Sequence, residues 1–137
     1  MKQFSSVNID KFIESIDFLK IEGGLIPVIT QDFETNEVLI LAFANEEAIR
    51  KTMESGHVHF YSRSRNKIWK KGESSGHVEE VLDIITDCDN DSLLIKVKQI
   101  GAGACHKGYY SCFYNKFEGG TFQNIGKKVF NPEEVYK

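Results

Sequence analysis

The chain is short of proline, short of cysteine and without a long apolar run. Two prolines in 137 residues, Pro27 and Pro132, are too few for a proline-rich linker. At 41% hydrophobic and 12% aromatic, the composition is not that of a disordered chain. The longest unbroken apolar stretch, Val38–Ala44, has seven residues, against the ~20 that a membrane-spanning helix needs. Met1-Lys2-Gln3-Phe4-Ser5-Ser6 lacks the apolar segment of a secretory signal. Basic residues are not in excess: 17 against 20 acids leave a net charge of −3. A bulk electrostatic grip on nucleic acid is therefore not expected. There is no C-x-x-C, no Walker A motif and no G-x-G-x-x-G. Three cysteines make an odd count, which argues against a disulfide framework. The expectation is a soluble cytoplasmic protein with no membrane and no nucleic-acid partner. Its length suits one domain spanning 1–137.

What is there alternates between strand and helix patterns. Ile9, Phe12, Ile13, Ile16 and Leu19 fall at helical spacing, so a helix is expected over 9–20, closed by Gly23-Gly24. Residues 27–32 and 37–43 read as strands around a turn at 33–36. Asn45 reads as an N-cap, Glu46 and Glu47 suit the first turn, and Gly56 supplies the stop, giving a helix over 46–55. Further strands are expected at 57–61, 67–71, 77–86, 92–100 and 109–117, and a short helix at Pro132. The fold class is α+β, mainly β: one compact domain of antiparallel sheet with two or three helices.

Charge is segregated along the chain. Seven basic residues and one acid lie between Arg50 and Lys71; six acids and no base lie between Glu79 and Asp91. An anionic ligand near the first segment and a cation near the second would account for the split; ordinary solvated faces would as well.

Three constellations can carry chemistry. In Asp87-Cys88-Asp89-Asn90-Asp91 an extended backbone puts three carboxylates on one side and a thiol on the other. Oxygen ligands suit Mg²⁺ and a thiolate suits Zn²⁺; a β-turn is the plainer reading. An EF-hand is excluded, because Ser92 and Lys98 stand where Gly and Glu are required. Cys105-His106 and Cys112 lie in a glycine-rich segment. With Cys88 they make three thiolates, which would leave a fourth zinc position open, unless His77 or His106 closes a structural Cys₃His site; two buried structural cysteines are the third possibility. Ser62-Arg63-Ser64-Arg65 and Trp69-Lys70-Lys71-Gly72-Glu73-Ser74-Ser75-Gly76-His77 combine guanidinium forks, hydroxyls and backbone amides that suit phosphate. His77-Val78-Glu79 imitates the H-x-E of zinc nucleobase deaminases, but their P-C-x-x-C is missing.

Taken in order with Leu39-Ile40-Leu41-Ala42-Phe43, Ala104-Cys105-His106-Lys107-Gly108 and Ser111-Cys112-Phe113, these segments resemble the phosphoribosyl-AMP cyclohydrolase family over about residues 25–114. The chain differs at Phe43, Ala44 and Lys107, where the family usually has Tyr, Met and Thr. Residues 9–20 and the tail 119–137 carry no family motif. The resemblance implies zinc on Cys88, Cys105 and Cys112, assembled across an intertwined homodimer, and Mg²⁺ on Asp87, Asp89 and Asp91. It implies hydrolysis of the N1–C6 bond of phosphoribosyl-AMP, the third step of histidine biosynthesis, by zinc-activated water. On that reading His106, or less favourably His77, is the acid/base, and Arg63, Arg65, Lys71, Ser74 and Ser75 hold the phosphates. Another zinc-dependent nucleotide hydrolase or deaminase, and a non-enzymatic zinc module, are the alternatives.

Overall fold

Alternating apolar residues and asparagine turns build the sheet. The computed structural model describes residues 1–136. It has helices α1 (Ser6–Ser15), α2 (Glu46–Ser55) and α3 (Pro132–Val135). Its strands are β1 (Ile26–Asp32), β2 (Val38–Ala44), β3 (His59–Ser62), β4 (Lys67–Lys70), β5 (Glu79–Thr86), β6 (Leu93–Gln99), β7 (Asn115–Glu118) and β8 (Thr121–Asn124). The hairpins β1–β2, β3–β4 and β5–β6 each turn through an asparagine with positive φ: Asn36 at 63°, Asn66 at 53° and Asn90 at 57°. Asparagine tolerates that left-handed conformation better than most residues.

The main sheet has the order β2-β1-β6-β5. It is α+β and mainly β, as expected. Its hairpins are antiparallel, but β1 and β6 at the centre run parallel, pairing Val28 with Leu93 through Asp32 with Val97. A parallel pair requires a long crossover, and the chain makes it through α2 and β3–β4.

Both long helices cover one face of this sheet. Ile9 and Ile13 of α1 and Ile49 and Met53 of α2 pack with Val28, Val81, Ile95 and Val97, none more than 6% exposed. The opposite face is different. Leu41, Ile29, Leu94 and Ile85 line up in register across all four strands. Leu41 is 50%, Ile29 37% and Ile85 42% exposed.

Two expected elements change. The first helix covers Ser6–Ser15, not 9–20. Ser5 caps it, and Ile16 turns extended because the Asp17 amide donates to the Asn90 carbonyl at 2.8 Å. Leu19, counted as part of the helical face, is 93% exposed. The strand expected at 109–117 is a loop up to residue 114. Its backbone is drawn to β2, with the Cys112 amide on the Leu39 carbonyl (2.8 Å) and the Ser111 hydroxyl on that of Val38 (2.7 Å). Beyond residue 117, where no strand is expected, the tail supplies β8, which pairs with β7.

Candidate functional site

Strand β6 sets the geography of the site. The acidic loop 87–91 leads into its N-terminal end, and the glycine-rich segment that carries Cys105 leaves its C-terminal end. Seven extended residues span roughly 20 Å. Cys88 is therefore at one end of the sheet and the Cys105–Cys112 pair at the other. Among the described residues, only Asp87, Asp89 and Asp91 form a group of three or more candidate metal ligands. Among the described residues the three thiols do not converge within the chain, nor does His77 or His106 complete a group of three with the cysteine pair.

At the C-terminal end of β6 an open cleft of about 800 Å³ collects three of the seven cations of the basic segment. Arg65, Lys70, Lys71 and Lys107 line it, with the hydroxyls of Ser74 and Ser75, His106 and the Cys112 thiol. The arginine motif is the β3–β4 turn, where the Arg65 amide donates to the Ser62 hydroxyl at 3.2 Å. Arg63 is directed elsewhere: its guanidinium lies 4.3 Å from the centre of the Phe43 ring. His106 is exposed at the cleft, whereas the His77 ring is packed in the wall behind it, edge-on to Phe130 with ring centres 4.7 Å apart.

Cys105 is buried (4% exposed), and Cys112 reaches the cleft. Surrounding protein, together with the neighbouring Cys105, pushes the Cys112 thiol up to about 12. Two thiols this close resist becoming thiolates together unless a cation compensates them, which is the chemistry of a metal-binding pair.

The acidic loop already receives a cation. Asp87, Asp89 and Asp91 each place an oxygen within 4.8 Å of the others. The Lys20 ammonium stands against two of them, 2.5 Å from Asp89 and 3.1 Å from Asp91. Those hydrogen bonds, to Asp89 first and Asp91 second, hold Lys20 well above the ordinary lysine range. A positive group thus sits where the carboxylates converge, and the oxygen donors suit a hard divalent ion.

Sequence reading missed Glu79. It opens β5 fully buried, and neither carboxylate oxygen meets a hydrogen-bond donor. The signal was in the alternation: Val81 faces the core, so Glu79 two residues earlier does too. Burial raises its carboxyl to about 7, with the charge of nearby Lys71 opposing the rise. Lys71, 5% exposed, is itself lowered by burial and donates to the His77 carbonyl at 2.9 Å. A carboxyl raised on folding stabilises the protein below its unfolded value and loses that contribution as pH climbs through about 7. Relative to Glu79→Gln, the wild type is therefore expected to lose about 3 kcal/mol of stability between pH 5 and pH 8. Urea unfolding of both proteins across that range checks it; parallel curves would contradict the buried-carboxyl assignment.

The phosphoribosyl-AMP cyclohydrolase family model matches residues 40–114, which contain the arginine turn, the acidic loop and the Cys105–Cys112 pair. Curated relatives of that name agree over far more of the chain. That of Methanoregula boonei is 59% identical over 115 residues, 84% of this chain and 90% of the relative. That of Methanosarcina barkeri is 56% identical over 121 residues, 88% and 91% respectively. That of Geobacter metallireducens is 54% identical over 122 residues, 89% and 97%. A half-chain family match and relatives aligned almost end to end agree with the cleft and the acidic loop: this chain belongs to the phosphoribosyl-AMP cyclohydrolase family.

Proposed function

We propose that the protein hydrolyses the N1–C6 bond of 1-(5-phosphoribosyl)-AMP, opening the adenine ring to the phosphoribosyl-formimino imidazole-carboxamide. The observation that carries this reading is the basic cleft that ends on the Cys105–Cys112 pair. The substrate has two phosphates and one electron-poor purine. Arg65, Lys71 and the Ser74 and Ser75 hydroxyls lie where one phosphate can be held. Charge-assisted contacts from lysine, and bidentate ones from arginine, suit phosphate oxygens. Arg63 on the β3–β4 turn can serve the second phosphate only by leaving the Phe43 ring.

The donors fit two ions. Cys88, Cys105 and Cys112 would hold zinc, and Asp87, Asp89 and Asp91 would hold magnesium in exchange for the Lys20 ammonium. When bound, zinc supplies a water acidified toward neutral pH. His106, exposed beside the thiol pair, is the residue placed to take a proton from that water or return one to N1. Ring nitrogens of histidine change charge near neutrality, which suits both transfers. His77 is packed against Phe130 and serves as a wall.

The active form on this reading is a homodimer. Cys88 of one chain meets Cys105 and Cys112 of the other, since one chain keeps them at opposite ends of β6. The in-register apolar row Leu41, Ile29, Leu94 and Ile85 supplies a face for association. Residues 1–137 act as a single cyclohydrolase domain. No helix is long and apolar enough to cross a membrane, and a cytoplasmic location suits a biosynthetic hydrolase with free thiols.

Ultraviolet spectroscopy tests the reaction. Protein loaded with zinc and magnesium should convert phosphoribosyl-AMP to the ring-opened carboxamide without releasing ammonia. Ammonia release would instead identify a deaminase, and an unchanged spectrum with confirmed metal content would dismiss this substrate.

A further inference from the structure

The C-terminal tail is outside the matched family region, yet it forms part of the cleft. The family match ends at residue 114, while Pro132, Glu133 and Tyr136 line the same cavity as Arg65 and His106. The tail is fastened there. The Tyr110 amide donates to the Lys127 carbonyl at 2.8 Å, and the Val129 amide to that of Gly108 at 2.7 Å. Two glycines of the cysteine-bearing loop make room for it. A Cβ on Gly108 would lie 2.3 Å from the Phe130 carbonyl oxygen, and one on Gly103 would lie 2.6 Å from the Val129 side chain. No side chain fits at those distances, so the loop is shaped to take the tail across it.

The strap then delivers an aromatic ring. Asn131 caps α3, its side chain accepting from the Glu133 amide at 3.0 Å, and the Tyr136 amide closes on the Pro132 carbonyl at 2.8 Å. The Tyr136 ring is braced on Phe130, 6.4 Å between centres, and Phe130 in turn on His77. The remainder of the cleft is rich in cationic groups suited to phosphate. A nucleotide also presents a flat ring, which binds best against an aromatic face. Trp69 lines the cleft but is packed against Phe60 at 5.2 Å, whereas Tyr136 stays 39% exposed.

We propose that residues 127–136 are a substrate-recognition strap, in which Tyr136 is the aromatic wall that the purine stacks on. This deepens, and rests on, the phosphoribosyl-AMP reading. Trp69, the only tryptophan, reports cleft occupancy by its fluorescence. Two measurements on the metal-loaded protein decide the matter: steady-state kinetics, and quenching by adenosine monophosphate or by inorganic pyrophosphate. Tyr136→Ala is expected to raise KM about tenfold with kcat within about twofold, and to weaken adenosine monophosphate to the same degree, the scale of one base–aromatic stack. Tyr136→Phe should retain wild-type values, and pyrophosphate, which has no ring, should bind all three proteins equally. Wild-type KM and nucleotide affinity in Tyr136→Ala would overturn the strap alone. So would an equal loss of pyrophosphate binding, which would mark Tyr136 as a general support of the cleft. Absence of ring opening in the wild type would instead remove the reading on which the proposal stands.

Discussion

On the proposed reading, Cys105→Ser is expected to lower ring-opening turnover by at least about a thousandfold and to abolish zinc binding, while leaving the fold in place. The loop around this residue is held by its backbone. The Cys105 amide donates to the Tyr109 carbonyl at 3.0 Å, its carbonyl accepts from the Gly108 amide at 3.0 Å, and the Ala104 amide donates to the Tyr110 carbonyl at 3.0 Å. The thiol adds one weak contact, from the Lys107 amide at 3.4 Å. Serine is smaller than cysteine and stays close to its shape, so those bonds and the 4% exposure of the site survive. What is lost is the soft donor, because a hydroxyl is not deprotonated by zinc as a thiol is. The measurements are zinc per chain, turnover and thermal unfolding. Full turnover at low zinc content would mean that Cys105 is a packing residue. Loss of turnover together with loss of the folding transition would mean that the metal is structural, as in a zinc-stabilised module.

Much of this was readable from residue order alone, and the failures have identifiable causes. The helix Glu46–Ser55 was legible because local signals agree: Asn45 accepts from the Ala48 amide at 2.9 Å, and Gly56 adopts φ 76° at the stop. The β1–β2 hairpin turn at 33–36 was legible for the same reason, through the short-range preference of Asn36 for a turn. The end of α1 was not, because a long-range bond from Asp17 to Asn90 terminates it. Nor was the loop at 109–114, whose amides are claimed by β2. The parallel β1–β6 pair depends on which hairpins lie side by side, and no local pattern encodes that.

The candidate site divides along the same line. Ligand types and spacings announced the acidic loop and the cysteines, since donor chemistry is a property of the residue. Which residues share a cavity is a property of the fold. Arg63 and Arg65 are two residues apart, yet one lines the cleft and the other lies over Phe43. Glu133 and Tyr136 carry no motif, and Glu79 only a rejected H-x-E match; their places became visible only once β5 and the tail were in place.

The separation of Cys88 from Cys105 and Cys112 makes a further result calculable. If the zinc site is shared between chains as proposed, Cys88→Ser and Cys105→Ser are each expected to be inactive as homodimers, because each lacks one thiolate at both sites. Mixed after unfolding and refolding together in equal amounts, they should regain about one quarter of wild-type activity. Random pairing makes half of the dimers mixed. In a mixed dimer one shared site combines both serines. The other combines the Cys88 of the Cys105→Ser chain with the Cys105 and Cys112 of the Cys88→Ser chain, and is fully wild type. One intact site in two, in half of the dimers, gives the quarter. A mixture that stays inactive, though size exclusion and zinc analysis show mixed metal-bearing dimers, would place all three thiolates of a working site in one chain. That would require loop 87–91 to leave its end of β6 and travel the length of the strand, breaking the Asp87–Ser92 turn and the Lys20 contacts that hold it. The β5–β6 ladder, in regular register from Asp83 with Lys96 to Thr86 with Leu93, opposes such a movement immediately beside the loop. Recovery near one quarter, rising toward that value as refolding approaches random exchange, is therefore the result that the topology requires of a shared zinc site.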